Sequence, residues 1–297
     1  MSHRTLLLVA STAICLHLRL LSAQETLHAE PPIRQIDHIM IRADDPTKLY
    51  AFFTETLRLP SAWSLATRGV ARSGGVGFGS VNVEVIQIPD QKPSQAVLVG
   101  FALEPSPLAE CLRELTRRGI TYAHPRPLVR TEPDGSKTTL WTNVPLLQFS
   151  DSDRPVDATI YIFVSEYGPA YVNVPERRAR LRKELLQVDG GPLGVSSVEE
   201  VIIGVKDLNV STALWQRLLD PLRPSAPGLW RVGDGPAIRL VQAQETKLEA
   251  LVVGVRSLLA AETFLRQKAL LSPISASDVM IDPTKVDGLT IRLVERQ

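Results

Sequence analysis

Cysteine is almost absent: the 297 residues contain two, Cys15 and Cys111. That excludes a disulfide framework and any zinc module built on paired cysteines. Cys111 falls among Leu108, Leu112 and Leu115 at helical spacing, the setting of a buried core thiol rather than a nucleophile. Charge of either sign is not in excess. The formal net charge is +1, which removes any global electrostatic case for nucleic acid or an anionic membrane. There is no Gly-x-Ser-x-Gly elbow and no Walker-type loop. The glycines between Gly74 and Gly79 precede a strand rather than a helix, so they read as a hairpin.

What remains is ordinary globular material. Hydrophobic residues make up 44% and charged ones 22%, and the length suits two domains. Twenty-two prolines and eighteen glycines imply many turns and short elements. The N-terminus differs from the rest. A short basic start, Met1 to Arg4, precedes an apolar run from Thr5 to Leu18, and Ala23 offers a small residue at a cut. The run falls short of the roughly 20 residues of a membrane span. The expectation is a signal peptide over 1–23, a tail over 24–34 and an exported mature chain; an uncleaved anchor and a buried start are the alternatives.

After Pro32 four stretches share one plan of strand, amphipathic helix, then two or three strands. The first opens with Gln35 to Arg42 and ends near Ile88. Its helix starts at Asp45-Pro46, a cap residue followed by proline at the first helical position. The second runs from Ala96 to Tyr167. The third begins at Ser197 and the fourth near Leu248, and they close on near copies, Ile238 to Val241 and Ile291 to Val294. Pro175 to Leu186 is expected to be a short helix, and its arginines read as a solvated linker face because no aromatics interleave them. The divisions are an N-terminal lobe over 35–168, a helical linker over 169–195 and a C-terminal lobe over 196–297.

His38 sits centrally in the first strand and Glu84 centrally in Val81 to Gln87, each on a polar-facing position. Taken with Asp45-Pro46 and the segment Tyr50 to Leu57, these stretches resemble the first module of the vicinal-oxygen-chelate, glyoxalase-like superfamily. The resemblance implies an α+β fold of tandem βαβββ modules, each pair forming a trough. It also implies ligands on the first and last strands of each module, often His and Glu. By position it carries over to His38 and Glu84. The second module offers only Glu166, and an iron site with two histidines would need His124.

Two functions from different classes follow. In one, His38, Glu84 and Glu166 hold a divalent metal (Zn, Fe, Mn or Ni), Glu84 or Glu166 moves the proton, and the protein is a lyase, isomerase or dioxygenase. In the other, the trough is a metal-free module that sequesters a small organic molecule. A non-catalytic scaffold is a third reading. Glyoxalase activity itself is disfavoured, since the thiol it needs is not expected outside the cytoplasm. In the second lobe Glu200 takes the place of His38 and Arg239 that of Glu84, with Arg292 in the fourth unit. Those charges make no cation site; they suit an ion pair or an anion-binding pocket, with solvent-facing side chains on a half-exposed sheet as the alternative. Trp141, Tyr161, Phe163, Trp215 and Trp230 read as core aromatics, with apolar pocket linings as the alternative.

Overall fold

The computed structural model describes residues 30–68, 70–151, 159–273 and 279–296. The expected leader and most of the tail lie outside the described residues. The chain forms two sheets, of eight and six strands.

The first sheet contains β1 (Ile33–Arg42), β2 (Ser61–Arg68), β3 (Ala71–Gly77), β4 (Asn82–Gln87), β5 (Val97–Pro105), β6 (Arg126–Thr131), β7 (Lys137–Pro145) and β8 (Tyr161–Tyr167). Helix α1 (Pro46–Ala51), extended by a π-helical turn over Phe52–Thr56, follows β1, and α2 (Leu108–Arg117) follows β5. The strand order is β2-β3-β4-β1-β5-β8-β7-β6. Within each half the opening and closing strands pair in parallel, β1 with β4 and β5 with β8. Parallel neighbours need a crossover, which the helices supply. The two opening strands meet antiparallel at the centre. The result is two βαβββ units side by side. β1 begins at Ile33, two residues inside the expected tail, and Ser106 fastens the preceding Pro31 and Pro32 carbonyls.

Helix α1 forms where the sequence signals it. The Asp45 carboxylate accepts from the Thr47 N–H, Pro46 needs no donor, and Leu49 and Phe53 are buried. In α2, Leu108, Cys111 and Leu115 face inward. Burial pushes the Cys111 thiol up to about 12, which leaves it inert.

Helix α3 (Val174–Gln187) leads into the second sheet. That sheet contains β9 (Val195–Val205), β10 (Leu229–Arg231), β11 (Ala237–Gln242), β12 (Lys247–Val255), β13 (Val279–Met280) and β14 (Ile291–Glu295), in the order β10-β11-β9-β12-β14-β13. Helices α4 (Leu208–Leu219) and α5 (Leu258–Gln267) are its crossovers. Each unit here is βαββ, one strand shorter than in the first sheet. The repeated endings lie on β11 and β14, each parallel to its unit's opening strand.

One apolar core runs through both halves. Trp215 of α4 sits edge-on to Phe149 at 4.8 Å between ring centroids and leans on Phe101. The buried Arg118, just past α2, donates to the Arg217 and Leu218 carbonyls at 3.2 Å each. It thereby caps the end of α4 from the other lobe, where the helix dipole favours a cation. Among the described residues no helix is long and apolar enough to cross a membrane.

Candidate functional site

Alternation along β1 divides its side chains between two faces. Ile39 and Ile41 turn to the helix-covered side, whereas His38, Met40 and Arg42 turn to the concave one. There they line a cavity of about 1180 Å³, a size that suits a drug-sized organic molecule. Its walls carry Trp63, Trp141, Tyr161, Phe163 and Tyr171, with His38, Glu84, Asn143 and Ser165 as polar points. Trp141 and Tyr161 are therefore wall rather than core, Phe163 is a buried core residue that also faces the cavity, and Trp215 and Trp230 match the core reading. Trp63 can lie over the sheet because its cross-strand partner is Gly75, where a Cβ would fall 2.4 Å from the ring.

The polar centre depends on a β-bulge. Between Ile36 and His38 the pairing with β5 skips a residue, and the extra one is Asp37. Strict alternation would send Asp37 away from His38. The bulge instead brings its carboxylate beside the ring, 2.8 Å from Nδ1. The Tyr167 hydroxyl donates to the same carboxylate at 3.0 Å, and the guanidiniums of Arg177 and Arg178 reach it from α3. Arg178 also pairs with Glu104, and Arg177 stacks over the Tyr167 ring at 4.9 Å. The Asp37 side chain is wholly buried. Burial alone would raise its pKa, but the His38 hydrogen bond and the charges of Arg177, His38 and Arg178 outweigh that and hold it well below the usual carboxylate range. Burial, with the Asp37 charge beside it, pushes the Tyr167 phenol up and keeps it protonated.

Helix α3 is thus more than a solvated linker. Arg177 and Arg178 turn inward, Leu181 and Leu185 are buried, and Tyr171, Asn173, Glu176 and Arg180 line the cavity. The helix and its approach close one end of the trough.

The sequence-predicted residues divide. His38 and Glu84 come together, with Nε2 and Oε2 3.7 Å apart. Glu166 does not join them: its Oε1 accepts from the Leu108 N–H and caps the start of α2, on the other face of the sheet. His124 is exposed and does not line the cavity.

Register explains why the second unit adds no ligand. His38 pairs with Asn82 and Met40 with Glu84; in the second unit Gly100 pairs with Tyr161 and Ala102 with Phe163. Gly100 and Phe163 therefore stand where His38 and Glu84 stand in the first unit, and neither can bind a cation. A catalytic zinc typically takes three protein ligands. Among the described residues the trough brings two such groups together, His38 and Glu84, and no group of three or more His, Cys, Asp or Glu is placed to hold a metal. The donor set does not fit a three-ligand metal centre of His38, Glu84 and Glu166.

The bulge recurs in the second lobe. Pairing of β9 with β12 skips Glu199 and Glu249, as pairing of β1 with β5 skips Asp37 and Val99. Glu199-Glu200 thus occupies the place of Asp37-His38, and Arg239 that of Glu84. The Arg239 fork engages both Glu200 oxygens, through Nε and through Nη2 at 2.7 Å. This hydrogen bond raises the Arg239 pKa. The expected ion pair is present, and Arg292 is exposed.

No protein-family model and no curated protein matches the sequence. Solved structures do match. The Mn(II)-bound glyoxalase from Novosphingobium aromaticivorans superposes with TM-score 0.54 at 12% identity, covering 89% of this chain and 82% of that one. The 2,3-dioxygenase LapB from Pseudomonas sp. KL28 gives TM-score 0.54 at 11% identity, with 90% and 94% covered. A mutant 4-hydroxymandelate synthase from Streptomyces coelicolor gives 0.56 at 12%, with 90% and 93% covered. At such identity the likeness establishes the fold.

Two predictions follow from this geometry. Asp37→Asn leaves Arg177 buried without its counter-charge and should cost about 3–5 kcal/mol in urea unfolding at neutral pH. Because the folded-state pKa of Asp37 lies below its ordinary value of 3.8, its contribution is complete above that pH and fades as the pH falls. The variant should therefore lose stability less steeply in acid than the parent; a cost under about 1 kcal/mol would contradict the cluster.

In the second lobe, Glu200→Ala, Arg239→Ala and the double variant should give a coupling energy of about 1 kcal/mol, the upper end for partly exposed pairs. Additive effects would mean that the two side chains do not interact in solution.

Proposed function

We propose that this chain, which has the fold of the vicinal-oxygen-chelate superfamily, binds a small organic molecule in the trough of its first lobe without a resident metal, as an exported binding protein. The observation that carries the reading is the cavity itself: aromatic walls around a polar point made of His38, Glu84, Asn143 and Ser165. Such a lining takes a ligand with an apolar, preferably aromatic, body and a polar group.

Within the site the residues have separable tasks. Asp37 receives the Nδ1 proton of His38, so Nε2 is left toward Glu84 and the cavity as a hydrogen-bonding atom. The Ser165 hydroxyl donates to Asn143 Oδ1 at 2.8 Å, which orients the amide. Trp141 and Tyr171, 5.8 Å apart between centroids, form an aromatic corner beside α3. The arrangement recognises a polar group and excludes bulk water around the body.

A second reading rests on one observation. A histidine that ligates a metal normally gives its other ring N–H to a carboxylate, as His38 does to Asp37. In that reading a divalent cation rests on His38 and Glu84 and takes its other ligands from water or substrate.

Mass spectrometry of the protein recovered from the exporting cell tests these readings together. Under native conditions the mass should exceed the chain by a small organic molecule, and Asn143→Trp, which fills the cavity, should remove the excess. Under denaturing conditions the mature chain should begin at Gln24. Stoichiometric metal lost with His38→Ala would favour the second reading. No bound molecule in either protein, together with no stabilisation by any compound of an aromatic library, would contradict small-molecule binding. An intact Met1 on exported protein would contradict cleavage.

A further inference from the structure

We propose that the end of the trough at Arg42 is a subsite for an oxyanion, so that the molecule bound there is an extended organic acid with its carboxylate or phosphate on Arg42. This deepens the trough-binding reading above and rests on it.

Arg42 is only 7% exposed, and its Nε is buried with no hydrogen-bond partner. Three other arginines have an unpartnered buried nitrogen: Arg118, Arg177 and Arg178. Each of those spends its remaining nitrogens on carboxylates or carbonyls of the fold. The Arg42 side chain has no ion pair and no hydrogen bond to any of the described residues. A buried guanidinium without a counter-charge is costly, and it stays protonated at any ordinary pH. An anion arriving with a ligand removes that cost.

The position supports the same conclusion. Arg42 lies on the cavity-facing side of β1, opposite Ile86 of β4, and the surrounding lining includes Trp63, Ile88 and Gln91. Among the described residues the carboxylates that line the cavity are Glu84 and Glu176. Glu84 turns to His38, so neither an internal pair nor a fold contact must be broken to admit an anion. The planar fork matches two oxygens of a carboxylate or phosphate.

Spacing sets the shape of the guest. His38 and Arg42 are four residues apart on one strand, about 13 Å at a rise of about 3.3 Å per residue. Met40 lies between them on the same face and clusters with Val99, Ala102 and Phe163. A ligand that reaches both ends has an anion at one end, an apolar middle and a hydrogen-bonding group at the other.

The test is calorimetric titration of the full mature chain with 4-(4-hydroxyphenyl)butanoate, its primary amide and 4-(4-hydroxyphenyl)butylphosphonate. Each is titrated into the parent, Arg42→Gln and Arg42→Lys, with folding checked by circular dichroism. The acid or the phosphonate should bind the parent at least tenfold more tightly than the amide, and the tighter of the two identifies the anion. Arg42→Gln should abolish that preference and leave amide affinity within about twofold, while Arg42→Lys should retain part of it. The comparison in the parent alone decides the matter if Arg42→Gln fails to fold. Equal affinity of acid, phosphonate and amide would overturn the oxyanion subsite and leave trough binding standing. A preference that survives Arg42→Gln would also overturn it. Failure of all three to bind the parent would overturn both.

Discussion

A single carboxylate holds the first lobe's trough in shape. Asp37 has no solvent exposure on its side chain, so its charge is tolerable only because donors converge on it. They come from three elements: His38 on β1 itself, Tyr167 at the end of β8, and Arg177 and Arg178 on α3. Glu104 of β5 balances the second guanidinium. Two carboxylates thus face two arginines, and the cluster closes without a net buried charge. Its consequences run outward. The His38 ring is fixed by its Nδ1, its Nε2 is presented to the cavity, and α3 is held over one end of the trough.

The four units of the chain make the logic visible by comparison. All four opening strands carry the same bulge, at Asp37, Val99, Glu199 and Glu249. Only the first puts a carboxylate there beside a histidine. In the second unit Val99 and Gly100 occupy the two positions, so no ionisable side chain stands there and the polar points on that side are Asn143 and Ser165. In the third, Glu200 meets Arg239 and the two close on each other. The second lobe also lacks the outermost strand of each unit and has no helix comparable to α3 over its concave face among the described residues. One backbone device has therefore been kept four times, and side chains decide whether it frames a cavity, an apolar wall or an ion pair.

Much of this was legible in the sequence. The βαβ beginnings, the Asp45-Pro46 cap, the repeated Ile-Arg-Leu-Val endings and the facing of His38 and Glu84 follow from periodicity and capping, which are local. The Glu200–Arg239 pair followed from aligning the repeats. What failed was non-local. Alternation assigns Asp37 to the far face of β1, and the bulge that turns it in leaves no mark in a single sequence. Arg177 and Arg178 looked like solvated charge; their spacing to Leu181 and Leu185, one face of a helix, was the signal available. Glu166 sits one residue out of phase with the cavity-facing Ser165 and Tyr167, and that phase sends it to cap α2 instead. The aromatics could be read either as core or as pocket wall, because core and cavity linings use the same residues.

The central claim is that Asp37 fastens α3 across the trough, and hydrogen exchange reads it most directly. In the parent, amides of Val174–Gln187 should exchange at rates close to those of the neighbouring strands β1 and β8. In Asp37→Asn, under conditions where the sheet remains protected, the same helix should exchange at least tenfold faster while α4 and α5 are unchanged. Equal protection of α3 in both proteins would contradict the account.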